Sequence, residues 1–241
     1  MRQPSVDRVQ RIANRQFGVI SRNQILWLGF NSDWVNHRLE KKWLYVIYRG
    51  VYAVGRPELS RRGEWMAAVL ACGDHAVLSH ESAAALWEIR PDRRAAQIHI
   101  VVPGTALRRH SGIVVHRRTA LTRSDITRRL GIPVTTPVCT LIDYAARHTR
   151  DEVESAINEA DIRGLTNPNA LRKALETAPP RPGVAAMRAM LDRRTFRLTR
   201  STLERLMIPL AVRAGLPPPL TRAIVNGFEV DFYWPDLGLR G

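Results

Sequence analysis

The sequence predicts an α+β chain organised in three blocks, and three observations carry that reading. Residues 1–55 hold three short stretches of helical apolar spacing followed by two β-prone runs around Arg49-Gly50. Residues 56–178 alternate β-branched runs with Ala-rich and acidic helical stretches, the pattern of a mixed α/β domain. Near the end, Asn226-Gly227 separates two further β-prone runs, the strongest short-range hairpin signal. No internal repeat is visible.

The first block reads element by element. Val6, Val9, Ile12, Ala13 and Phe17 fall at helical spacing, and Gly18 closes that helix. Ser21 offers an N-cap oxygen to a second helix carrying Ile25, Leu26 and Leu28, closed by Gly29. Ser32 is the expected cap of a third helix over residues 33–42, with Val35 and Leu39 facing inward. Residues 44–48 and 51–54 then make a hairpin with Arg49-Gly50 at its tip. Helix, helix, short turn, helix and hairpin form the ground plan of a winged helix-turn-helix.

That plan suits double-stranded DNA. A helix fits the major groove and presents polar side chains to base edges, while a two-stranded wing rests on phosphates. The outward face of the third helix is expected to carry Trp34, Asn36, His37, Arg38, Lys41 and Lys42. Asn and Arg make bidentate contacts to adenine and guanine respectively. Arg49 at the hairpin tip is a natural phosphate contact. Trp27 and Trp43 are expected in the core. The competing reading of the same residues is a three-helix interaction domain with a solvated charged face.

In the second block, residues 62–71 read as a helix closed by Gly73, and Ser79-His80-Glu81-Ser82 leads an Ala-rich helix ending near Trp87. Ile98 to Val102, residues 112–116 and residues 132–135 read as strands. Pro137 stands early in a following helix, where its missing N–H does no harm. An acidic helix at 151–161 and a short one at 169–175 complete the block. Residues 177–183, with three prolines and a glycine, mark a linker, so 179–198 is expected to be linker and short helix. The last segment, 199–241, starts a helix at Ser201-Thr-Leu-Glu204 and ends in the hairpin about Asn226-Gly227.

Composition narrows the function. The chain has 241 residues, 45% apolar and 24% charged, which excludes a mainly disordered protein. No apolar run is long enough to span a membrane, and the first 22 residues lack a signal-peptide core, so a cytoplasmic protein is expected. Cys72 and Cys139 are the only cysteines and are expected to be buried and reduced. The formal charge is +15, with nine basic against three acidic residues in the first 55. Such a balance favours a polyanionic partner. Lys occurs only at 41, 42 and 173, so the excess is mostly arginine.

Two stretches also carry a resemblance. Residues 17–21 through 49–55, with Leu78-Ser79-His80-Glu81-Ser82-Ala83-Ala84 and Ile132-Pro133-Val134-Thr135-Thr136-Pro137 before Thr140-Leu141-Ile142-Asp143, resemble AbiEi-type antitoxins of type IV toxin–antitoxin systems. The resemblance covers roughly residues 5–175. It implies a regulator that binds its own promoter through the winged helix. It also implies a middle block opposing a nucleotidyltransferase-like toxin. Homodimerisation is in keeping with paired half-sites.

The last segment, with Ser201-Thr-Leu-Glu204, Ala214-Gly215-Leu216-Pro217 and Val230-Asp231-Phe232-Tyr233-Trp234-Pro235, is similar to the opening of very-short-patch-repair-like, restriction-endonuclease-fold domains. In that fold a helix acid and a strand acid help bind Mg²⁺, and Glu204 and Asp231 occupy those positions. The remaining ligands would follow Leu239, so the segment is expected to be a truncated, inactive remnant. Ser201-x-x-Glu204 also reads as a capping box, and strand alternation turns Asp231 toward water. A metal-dependent DNA endonuclease is therefore the alternative function, and no cofactor is expected outside it. The seven histidines, at 37, 75, 80, 99, 110, 116 and 148, form no His-x-x-x-His pair, so no zinc motif is expected. Ser79, His80 and Glu81 are sequence neighbours and are not expected to converge on one catalytic point. The scattered glycines form no nucleotide-binding fingerprint.

Overall fold

The structure is a computed structural model. It describes residues 5–93, 97–104, 110–119, 121–191 and 202–240, the side chains of 202–206 and 240 excepted. The chain forms two compact units, Met1–Thr140 and Leu141–Gly241, in an α+β architecture.

The first unit opens with α1 (Val6–Arg15), β1 (Val19–Ser21), α2 (Arg22–Trp27), α3 (Ser32–Glu40), β2 (Leu44–Tyr48) and β3 (Val51–Val54). The three strands form an antiparallel sheet of order β1-β3-β2. The strand at 19–21 was not legible beforehand, because three residues carry no periodicity. It forms because Phe17 and Gly18, at φ 59° and 92°, reverse the chain after α1 and lay Val19 beside Ala53.

Ser21 caps α2 as expected, its Oγ accepting from the Gln24 N–H at 3.2 Å while the Gln24 side chain accepts from the Ser21 N–H at 2.9 Å. The third helix starts one residue earlier than expected. Asn31, not Ser32, is its N-cap, with Oδ1 accepting from the Trp34 N–H at 2.9 Å. Val9, Ala13, Ile20, Ile25, Leu28, Val35, Leu44, Tyr52 and Val54 close around one core.

Next comes α4 (Arg61–Cys72), capped by Ser60 through the Gly63 N–H. Arg61 joins its own helix to Asp92 by hydrogen bonds of 3.0–3.2 Å and to Glu64 at 2.9 Å. Burial alone would lower the guanidinium's pKa, but these two carboxylates outweigh it and hold the pKa above the usual arginine value.

The second sheet of this unit combines β4 (Val77–Leu78), β5 (Ile98–Val102), β6 (Ile113–Arg117), β7 (Ile126–Arg129) and β8 (Ile132–Thr135), with α5 (His80–Leu86) following β4. Its order is β6-β5-β4-β8-β7, with β5–β6 and β4–β8 parallel and the other pairs antiparallel. All five residues of β5 are buried, as an apolar strand covered on both faces must be. Ser82 Oγ on α5 accepts the His99 N–H of β5 at 3.0 Å, and the Trp87 indole donates to the Thr135 carbonyl at 2.9 Å. Cys139 is buried and takes a 3.0 Å contact from Arg118 Nη1, whereas Cys72 is only half-buried, and neither forms a disulfide. Helix α6 (Pro137–Ala145) carries the chain out of the first unit.

The second unit continues with α7 (Arg150–Ile162), α8 (Pro168–Thr177), α9 (Pro182–Met190), α10 (Thr202–Arg213), β9 (Leu220–Val225), β10 (Phe228–Trp234) and β11 (Leu239–Arg240). The Pro-rich stretch ends sooner than its composition suggests. Pro182 opens α9, where a proline loses no helical hydrogen bond, and Gly183 lies against α6 so tightly that a Cβ there would stand 1.9 Å from the Ile142 carbonyl oxygen. Beside it, Arg181 Nη1 donates to the buried Asp143 carboxylate at 2.7 Å.

The hairpin at Asn226-Gly227 forms as expected, both residues at positive φ, but it is not alone. β11 pairs on the far side of β10, and Phe232, Trp234 and Ala211 make a small core with Ile208 and Leu216. Arg222 on β9 pairs with Asp161 of α7 at 2.5 Å and with Glu229 at 3.2 Å.

Two outcomes follow from this packing. Gly183→Ala forces α9 off α6 and lowers unfolding free energy by about 1–3 kcal/mol or more, measured by urea denaturation. Tyr48 has its phenol pKa raised, first by burial and then by the nearby Cys72 and Glu64. The folded state therefore holds that proton more tightly than the unfolded chain, whose phenol titrates near 10.0. Stability present below that pH is lost as pH rises through the folded value. Tyr48→Phe flattens this alkaline limb in melts recorded across that range.

Candidate functional site

The polar face of α3 is assembled by apolar anchoring on its other side. Val35 is buried in the core and Leu39 packs against it, which leaves Asn36 and His37 exposed. Lys41 and Lys42, just past the helix, are exposed too. Lys42 stands at φ 52°, a left-handed residue that turns the chain from α3 into β2. Arg49 is exposed at the tip between β2 and β3. Five of the six residues expected to meet DNA thus face solvent.

Arg38 is placed differently. Its guanidinium lies 5.2 Å from the Trp34 ring centroid and 5.5 Å from that of Trp43, within cation–π reach of both. Its Nε is buried with no hydrogen-bond partner. Trp34, expected on the outward face, is half-buried, stacked on Phe30 at 4.1 Å and edge-on to Trp43 at 5.8 Å. Helical spacing puts Trp34 one turn before Arg38, so the two side chains meet along the helix.

Trp27 corrects a second expectation. It is 78% exposed, not in the core, because α2 ends there and its one fully buried residue is Ile25. Trp43 does pack against the core, as expected.

A second cluster was not expected at all. His80 at the start of α5, His99 on β5 and His116 on β6 bring one ring nitrogen each to within 4.8 Å of one another. His80 and His116 stack at 3.7 Å between centroids, and His99 Nδ1 lies 3.0 Å from His116 Nε2. Glu81 Oε2 is also 3.0 Å from His99 Nδ1, and Ser79 Oγ is 3.0 Å from His80 Nδ1.

The spacing of 80, 99 and 116 matches no ligand motif, since each residue comes from a different element. Only strand pairing reveals it. His99 is in register with Val114, so His116, two residues on, shares its face of the sheet. Ser79 touches His80, while Glu81 lies against His99.

Of the two carboxylates expected as nuclease ligands, Asp231 is the one whose side chain is described. Asp231 is exposed on β10, as strand alternation predicted. Glu204 belongs to α10, but its side chain and the Ser201 cap lie outside the described residues. Among the described residues, no helix is long and apolar enough to cross a membrane.

Residues 75–193 match a family described as the AbiEi antitoxin C-terminal domain. This supports the antitoxin resemblance drawn from the motifs at 78–84 and 132–143; the match does not extend into the nuclease-like segment. Two curated relatives, the uncharacterized proteins MT2308 and Rv2248 of Mycobacterium tuberculosis (strains CDC 1551 / Oshkosh and ATCC 25618 / H37Rv), are each 29% identical over 202 residues, covering 80% of this chain and 70% of theirs. A crystal structure of the Rv2827c protein from Mycobacterium tuberculosis aligns with 79% of this chain and 81% of its own, at 18% identity and TM-score 0.44.

The aromatic arrangement has a direct consequence for stability. Arg38→Ala removes two ring contacts and lowers unfolding free energy by about 1–2 kcal/mol. Trp27→Ala changes it by less than about 0.5 kcal/mol. Chemical denaturation of both variants distinguishes the buried role from the exposed one.

Proposed function

We propose that this protein is a DNA-binding transcriptional regulator of antitoxin type, and that its N-terminal α1–β1–α2–α3–β2–β3 segment is a winged helix-turn-helix. The observation that carries the reading is the polar surface of α3 and its exit, Asn36, His37, Lys41 and Lys42, with Arg49 on the hairpin tip. In this reading α3 enters the major groove, Asn36 reads a base edge, and Lys41, Lys42 and Arg49 hold phosphates. Arg38 works from behind, held between two tryptophans where it sets the angle of α3 against β2. In the same reading Trp27, exposed at the end of α2, meets the DNA backbone that the first helix of such a motif crosses.

The antitoxin half of the proposal rests on the match over residues 75–193. It implies a toxin of the nucleotidyltransferase-like class as functional partner, and a homodimer reading paired half-sites. The alternative of a metal-dependent endonuclease has less behind it, since exposed Asp231 is the one candidate ligand whose side chain is described.

Binding to duplex DNA from upstream of the gene, followed by fluorescence anisotropy, tests the proposal. Affinity falls steeply with salt, and Lys41→Ala or Lys42→Ala each reduces the slope of log K on log salt by about 1. Asn36→Ala costs about 1–3 kcal/mol on the cognate duplex and little on unrelated DNA. A chain that binds neither duplex, or binds both equally with slopes unchanged by these substitutions, is not this kind of regulator.

A further inference from the structure

The geometry points to a transition-metal site of the zinc class, formed by His80, His99 and His116, with the Glu81 carboxylate beside His99. Two edges of the cluster already have the length such a site requires. Ligand atoms about 2.0–2.1 Å from a tetrahedral Zn²⁺ stand about 3.3 Å from each other. His99 Nδ1 is 3.0 Å from both His116 Nε2 and Glu81 Oε2. His80 supplies the third nitrogen, within 4.8 Å of the other two, and its ring turns out of its 3.7 Å stack on His116 when an ion binds.

The chemistry of these groups favours an ion over a proton network. Two imidazole nitrogens facing each other at 3.0 Å need one proton between them, and the Glu81 oxygen competes for the same proton on His99 Nδ1. A divalent cation uses all three lone pairs at once, and the carboxylate offsets half its charge. The surroundings fit as well. His80 and His99 are 7% and 8% exposed, whereas His116 is only half-buried, so the cluster has a dry floor and an open side.

His80 is held at φ 49°, a left-handed conformation that costs a non-glycine residue energy and persists where something fixes the side chain. Ser79 Oγ at 3.0 Å from His80 Nδ1 orients that ring, as partners of metal-binding histidines do. The ion would tie the edge strand β6 and helix α5 to β5. Such a site depends on neither DNA contact nor toxin pairing.

The test uses the full chain without a histidine tag, stripped of metal and titrated with Zn²⁺ against a chromophoric chelator. Co²⁺ serves as a spectroscopic probe of coordination number. We expect one Zn²⁺ per chain with a Kd below about 1 µM, and a melting temperature raised by about 5–10 °C at a hundredfold excess over Kd. Co²⁺ shows the strong visible absorption of a four-coordinate ion. His116→Asn, at the half-exposed position where folding is least at risk, weakens binding by about 100-fold, and Glu81→Gln by about 10-fold. His75→Ala, at an exposed histidine outside the cluster, leaves it unchanged. Absence of saturable 1:1 binding overturns the proposal. So does equal binding by the wild type and a His116→Asn chain that circular dichroism shows to be folded.

Discussion

A three-residue strand governs the N-terminal part of this protein. Val19, Ile20 and Ser21 pair with Ala53, Tyr52 and Val51, and the pairing fixes where α1 stops and α2 begins. Its two ends are held by one amide-centred network. Gln16 Nε2 donates to the Val19 carbonyl at 2.9 Å and to Gln24 Oε1 at 3.0 Å, while Gln24 Nε2 donates back to Gln16 Oε1 at 2.7 Å. The same Gln24 oxygen accepts from the Ser21 N–H that starts α2. With α1, β1 and α2 locked in this way, α3 follows after a short turn, and its only free choice is which face to bury. Val35 and Leu39 make that choice, and the polar side chains are outward by exclusion.

The larger sheet shows a comparable division between anchoring and presentation. β5 is buried throughout, so its backbone must be satisfied by neighbours on both sides. β4 and β6 provide them, and Ser82 contributes a side-chain acceptor to the His99 N–H. Burying His99 in such a strand demands partners for its ring, and His116 Nε2 and Glu81 Oε2 both converge on its Nδ1. The cluster is thus a consequence of placing a polar residue in an otherwise aliphatic strand.

Much of this was legible in the residue order. The helix at Ser21, the hairpins about Arg49-Gly50 and Asn226-Gly227, the strand at 98–102 and the helix after Pro137 depend on caps, turn residues and apolar period, all local signals. The misplaced features depend on competition between adjacent caps, on helix length and on contacts between elements. Asn31 outcompetes Ser32 as a cap because its side chain reaches the Trp34 N–H. Trp27 is exposed because the helix it ends is too short to turn it inward, and size alone suggested a core residue. Gly183 looked like a linker residue, yet it is required by the approach of α9 to the Ile142 carbonyl. The strands at 77–78 and 126–129 escaped notice because both are short and neither alternates cleanly. The histidine cluster was invisible for the strongest reason: its members lie 17 and 19 positions apart and meet only through strand register.

The proposal that α3 and the hairpin tip form a DNA-contacting surface is open to one direct test. The most direct measurement is an amide chemical-shift map of the labelled chain titrated with duplex DNA from upstream of its gene. If the proposal holds, the largest changes fall on residues 32–42 and 48–51, with few beyond residue 141. Changes confined to the second unit, or no changes at all at low salt, would contradict it.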